Sequence, residues 1–99
     1  MVVEKITLDE IVFSWSKEKN ELLKKWERKI SFEMVIWAIE NNQILDIIEN
    51  PSWNFDNQKC YIIEINDYVY LVPYVENWNE KFLKTIFPSR KHKKFYLNN

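Results

Sequence analysis

The chain has 99 residues, 46% hydrophobic, 16% aromatic and 29% charged, with a net charge of −1, which predicts one ordinary globular domain over residues 1–99. The single cysteine, Cys60, excludes an internal disulfide, and with a single histidine, His92, it cannot build a Cys/His zinc site. Glycine is absent, which excludes phosphate-cradling loops, dinucleotide fingerprints and nucleophile elbows, because each needs positive φ or a close backbone approach that only glycine gives readily.

Residues 11–15, IVFSW, alternate apolar and polar and predict a strand. Ser16 is a candidate helix N-cap, and residues 17–29 read as an amphipathic helix. Its apolar stripe is Leu22, Leu23, Trp26 and Ile30, and its other face carries a Glu21–Lys25 pair. Ser31 caps a second helix over residues 32–42, with Phe32, Val35, Ile36 and Ile39 on one side. After Asn41-Asn42 the period changes from 3.6 to 2, and strands are expected at 44–49, 59–65, 68–75 and 81–87. Residues 50–58, with Pro51, read as a polar loop, and Asn66-Asp67 as a tight hairpin turn, since both tolerate positive φ. Pro73 cannot donate to a ladder, which predicts an edge position or a bulge there; Pro88 ends the last strand before a basic tail. The expected fold is α+β, an N-terminal strand and two short helices packed on one face of a mostly antiparallel four- to five-stranded sheet.

The near-zero net charge hides a partition. Residues 1–16 carry −2, residues 17–30 carry +3, residues 31–80 hold nine acids against Lys59 alone, and residues 81–99 hold six bases and no acid. A positive segment attracts polyanions and a negative one attracts basic proteins; a solvated Lys-rich tail is the plainer reading of the last segment. No apolar run approaches the roughly 18–20 residues that cross a bilayer, and residues 1–10 lack the charged-then-apolar order of a signal peptide. A soluble cytoplasmic protein is expected.

The order of elements, with Phe13-Ser14-Trp15-Ser16 and Lys19-Asn20 at the first helix, Ile30-Ser31-Phe32-Glu33 at the second, residues 57–64 in the middle and Ile86-Phe87-Pro88-Ser89-Arg90-Lys91 at the end, resembles the BrnT-type toxins of bacterial toxin–antitoxin pairs. These belong to the RelE-like ribonuclease superfamily. The resemblance covers residues 11–96 and implies a small metal-independent endoribonuclease that needs no cofactor, stops translation and is neutralised by a cognate antitoxin. The family's Arg-Lys after the last strand matches Arg90-Lys91. Its Lys-His-Gly before the second helix corresponds to Lys25-Trp26 followed by an insertion at 27–29, so the histidine and glycine are missing, and its arginine opening the middle strand appears as Lys59.

Arg90 at the end of a strand is the candidate to bind an RNA phosphate bidentately and stabilise a pentacoordinate transition state. Lys25 and Lys59 are expected to converge on it from a helix and a neighbouring strand, where clustered cations lower one another's pKa; alternatively they are a helix-pair charge and a strand-edge charge. His92 is a candidate proton shuttle or a solvated tail residue. Lys24, Arg28, Lys91, Lys93 and Lys94 are candidate RNA-binding cations, and Phe95 and Tyr96 can stack on a base or pack the tail. Trp37, off its helix stripe, and Trp53 and Trp78, in loops, are candidate partner-binding residues. The acids Asp46, Glu49, Asp56, Glu64 and Asp67 raise a metal-dependent nuclease, but the acid-x-lysine strand pattern of such enzymes is missing at Glu64-Ile65-Asn66. A non-catalytic RNA- or protein-binding module is the alternative function.

Overall fold

The structure is a computed structural model that describes residues 1–49 and 58–97. The chain runs β1 (Val3–Leu8), β2 (Ile11–Ser16), α1 (Lys17–Lys24), α2 (Phe32–Glu40), β3 (Ile44–Glu49), β4 (Gln58–Ile65), β5 (Tyr68–Asn77), β6 (Glu80–Leu83), β7 (Phe87–Pro88) and α3 (Arg90–Leu97). The sheet order is β1-β2-β6-β5-β4-β3, with β7 paired to β5; β2 and β6 are parallel and every other pair is antiparallel. The fold is α+β, as the periodicity predicts, but among the described residues the sheet has seven strands rather than four or five, and there is a third helix.

Alternation along the central strands puts Tyr61, Ile63 and Ile65 of β4 and Tyr70, Val72 and Tyr74 of β5 on one face. There they pack with Phe13, Trp15, Leu23, Phe32, Val35, Ile36 and Leu83, so α1 and α2 cover this face and share its core. Ser16 caps α1 by accepting from the Lys19 N–H, and Ser31 caps α2 by accepting from the Met34 N–H.

Several expectations are corrected. The first helix stops at Lys24 rather than 29, and a turn with Lys29 at φ 49° returns Ile30 to the core. The fully buried Asn20 explains the stop: its Oδ1 accepts from the Phe32 N–H at 2.8 Å and its Nδ2 donates to Glu33 at 2.8 Å, which draws the start of α2 back against α1. α1 buries Asn20 and Leu23, which leaves Leu22 exposed, and Trp26, beyond the helix end, is exposed as well, although spacing places both on the apolar stripe. Glu21 pairs with Lys24 at 3.7 Å, not with Lys25. The strand expected over 81–87 divides into β6 and β7, and the basic tail is helical.

Pro73 lies in the middle of the sheet rather than at an edge. Its carbonyl accepts from the Lys84 N–H at 2.8 Å, so its ladder side faces the break between β6 and β7, where the missing N–H costs no strand bond. Asn66 and Asp67 have φ of 51° and 61°, as the turn predicts, and Asp9-Glu10 forms a second such turn between β1 and β2. The polar loop expected over 50–58, with Trp53 and Asp56, lies outside the described residues except for Gln58, which opens β4.

Candidate functional site

The end of β5 that follows the Asn66-Asp67 turn gathers cations from distant parts of the chain. The Arg28 guanidinium, on the turn after α1, lies 4.0 Å from the centroid of the Tyr68 ring, and the Lys93 ammonium of α3 lies 5.1 Å from the same centroid. Tyr70 stands beside Tyr68 at 5.7 Å between ring centroids. The start of α3 is fixed here because the Ser89 N–H donates to the Val69 carbonyl at 2.9 Å, next to the Tyr70–Pro88 strand pair. The sequence thus brings two cations onto one ring through three separate elements.

Ser89 caps α3. Its Oγ accepts from the His92 N–H at 3.2 Å and lies 2.6 Å from His92 Nδ1, which orients the imidazole and leaves Nε2 outside that contact. The His92 ring also stacks on Tyr96 at 6.3 Å and an interplanar angle of 9°. The Tyr96 hydroxyl donates to Asp46 on β3 at 2.7 Å, and this bond holds its titration above the ordinary value of 10.0. Arg90, Lys91 and Lys94 are exposed on α3, which has no buried residue. Among the described residues, Arg28, Arg90, Lys91, Lys93 and Lys94 have no carboxylate within salt-bridge distance. They form a cationic surface with aromatic rings interleaved, the combination that single-stranded nucleic acid uses.

The other expected catalytic lysines lie on elements other than α3. Lys59 pairs with Tyr74 in the ladder, five residues or roughly 17 Å along β5 from Val69, so it does not converge with Arg90. Its ammonium is held by Glu76 at 3.1 Å. Lys25 is the exposed C-cap of α1, one turn before Arg28. Lys24 is engaged by Glu21 and Glu33 at 3.7 and 3.9 Å. Of the four expected catalytic residues only Arg90 and His92 share an element.

At the Lys59 end the sequence reading missed Lys81. Its ammonium donates to the Tyr61 hydroxyl at 2.9 Å, lies 3.7 Å from Glu76, and sits within 6 Å of the rings of Phe13, Tyr61 and Tyr74. The signal was available, since the β5–β6 hairpin sets Lys81 opposite Glu76. The Lys59 hydrogen bond, with the charges of Lys59 and Lys81, holds the Glu76 carboxyl below its ordinary 4.5. Burial pushes Tyr74 well above the ordinary tyrosine value, and pushes the Cys60 thiol up to about 11, so that this cysteine is inert at neutral pH.

Trp37 is 57% exposed beside a groove of ≈ 390 Å³ lined by Met34, Trp37, Gln43, Glu64, Ile65, Asn66 and Asp67. Trp78 is 97% exposed at the β5–β6 turn. Trp53 lies outside the described residues. Among the described residues no three His, Cys, Asp or Glu side chains gather as a metal-holding group, and no helix is long and apolar enough to cross a membrane. No family model matches the chain, and no curated protein or solved structure matches it either.

Proposed function

We propose that the chain is a metal-independent endoribonuclease toxin of the BrnT type, with a RelE-like fold, that cleaves RNA in the cytoplasm, blocks translation and is neutralised by a cognate antitoxin. The observation that carries this reading is the placement of Arg28 and Lys93 over the Tyr68 ring, beside Arg90 and the Ser89–His92 contact. A phosphate there meets cations that no carboxylate among the described residues has neutralised, and an unpaired base meets aromatic surface. In the reaction the 2′-oxygen forms a bond to the adjacent phosphorus while the bond from phosphorus to the 5′-oxygen breaks. His92 moves the proton, and the Arg90 guanidinium stabilises the charge of the pentacoordinate transition state. The acidic segment 31–80 and the exposed Trp37 support an antitoxin with basic and apolar contact groups.

The test is RNA cleavage by the purified chain. Cleavage that persists in EDTA, leaves a cyclic phosphate and disappears in Arg90→Ala supports the reading, and a requirement for Mg²⁺ overturns it.

The position of Lys59 favours a second reading, a non-catalytic RNA-binding module of the same fold, because the lysine is neutralised by Glu76 and distant from Arg90. Under it the chain binds single-stranded RNA with a steep salt dependence and leaves it intact, with or without ribosomes.

A further inference from the structure

Trp78 is the least accounted-for residue of the structure. It opens the two-residue turn between Asn77 and Glu80 with φ 54°, a position that favours glycine. Among the described residues, four of the seven at positive φ are Asn or Asp, which tolerate it; a bulky indole does not. At 97% exposure the ring gains no packing in return. The turn is also held rigidly, since the Asn79 carbonyl accepts from the Val12 N–H at 2.8 Å and its side-chain amide donates to the Glu10 carbonyl at 3.0 Å. Those bonds bring the Asp9-Glu10 turn beside the hairpin tip, which Glu80 closes, and none of these three acids has a cationic partner among the described residues. Strain, exposure and rigidity together point to a contact outside the chain.

The complementary surface is on α3. A concavity of ≈ 480 Å³, large enough for an indole, is bordered there by the basic Lys91 and Lys94 and by the rings of His92, Phe95 and Tyr96. Phe95 is 77% exposed beside it. Trp78 cannot reach this concavity in its own chain: β5 separates the two, ten residues spanning roughly 30 Å.

We propose that the acidic Trp78 hairpin tip of one copy of this chain inserts into the basic aromatic concavity on α3 of a second copy. The contact is head-to-tail, with each copy offering one tip and one concavity, so it propagates into rings or short filaments rather than stopping at a two-fold dimer. One indole and a few ion pairs make it weak and salt-sensitive. It covers the α3 cations assigned above to RNA, and in that consequence alone it rests on that reading: RNA and self-assembly compete.

The test is sedimentation of the full chain from about 10 μM to about 1 mM at low and high salt. The expected result is a mass that rises with concentration at low salt and falls back to monomer at high salt. Trp78→Gly, which relieves the positive φ and so keeps or raises the melting temperature, is expected to be monomeric, as is a Lys91→Glu, Lys94→Glu double variant. Mixed together, the two monomeric variants restore one tip and one concavity and form a complex that stops at two chains. A wild type that stays monomeric at about 1 mM overturns the proposal and leaves the tip to a different protein. So does a Trp78→Gly chain that assembles like the wild type, or a mixture that stays monomeric. RNA binding by the monomeric Trp78→Gly chain, whose α3 cations are intact, is measured separately, so that failure of the RNA reading is distinguishable from failure of self-assembly.

Discussion

The two ends of β5 both carry lysines and tyrosines, and they treat the cations in opposite ways. At the Tyr74 end, Lys59 and Lys81 share Glu76, and Lys81 is further enclosed by three rings and the Tyr61 hydroxyl. At the Tyr68 end, Arg28 and Lys93 lie over one ring, and neither they nor Arg90, Lys91 and Lys94 of α3 have a carboxylate partner among the described residues. A cation that already has a carboxylate partner has little left for phosphate, whereas one resting on an aromatic face keeps its charge available. Residue type therefore does not mark the candidate site; the presence or absence of a counter-charge does.

The sharpest way to break this contrast is to remove charge at each end in turn. In the Arg28→Ala, Lys93→Ala double variant, affinity for single-stranded RNA is expected to fall by about tenfold or more, with the slope of log affinity against log salt shallower by about 0.7 per lost phosphate contact. Arg90→Ala is expected to cost cleavage about 100-fold or more. Lys59→Ala is expected to change RNA affinity by less than about twofold, because its charge is already neutralised. Filter binding across a salt series measures the two affinities and a cleavage time course measures the Arg90 effect; an equal loss of affinity from Lys59→Ala would erase the distinction between the ends.

A step below in size is the support behind Arg28. Asn20→Ala leaves the buried Phe32 N–H and one oxygen of Glu33 without their partner and is expected to cost about 2–3 kcal/mol in urea unfolding. The turn carrying Arg28 loosens with it, so RNA affinity falls although no cation is removed. Unchanged RNA affinity in a destabilised Asn20→Ala chain would separate the turn from the site.

The sequence made some of this legible and hid the rest for physical reasons. Ser16, Ser31 and Asn66-Asp67 announce their helices and hairpin because capping and positive φ are local chemistry. The early end of α1 is not local: it is set by the side chain of Asn20 reaching Phe32, twelve positions on. β1 escapes the period-2 test because Glu4 takes an inward place, where it accepts from the Trp15 indole at 2.9 Å. The parallel pairing of β2 with β6 joins segments nearly 70 residues apart, and no turn signals it. α3 is invisible to apolar periodicity since it buries nothing and docks instead through Ser89, Lys93 and Tyr96. For the same reason Arg90 and His92 were readable as candidates, while the meeting of Arg28 with Lys93 on Tyr68 was not.

Acid separates the two ends more gently. Glu76 is held below 4.5 by its hydrogen bond to Lys59, and Glu33 is held down by Asn20, Lys24 and Ser31 against the opposing pull of burial. For a carboxylate with a lowered folded pKa, the added stability is fully present above the unfolded value and is lost as pH falls through the folded one. Stability is thus expected to decline below about pH 4.5, and Glu76→Gln to flatten that decline while costing under about 1 kcal/mol at neutral pH. An unaltered acid profile would mean that Glu76 is not what holds Lys59 and Lys81.

The smallest effect concerns how α3 stays on the sheet. The neutral Tyr96 hydroxyl donates to Asp46, which raises the tyrosine pKa above 10.0. Here the sign is opposite to the acids: the stabilisation is present below the unfolded value and is lost as pH rises through the folded one. Tyr96→Phe removes the bond while keeping the ring that stacks on His92, so it is expected to cost about 0.5–1 kcal/mol or less at this exposed site. The loss is confined to α3. Amide hydrogen exchange is expected to quicken over residues 90–97 and to stay as it is in β4 and β5. Quickening in β4 and β5 as well would mean that α3 stabilises the sheet itself. Its cations would then be part of the folding core, and the contrast between the two ends of β5 would lose its basis.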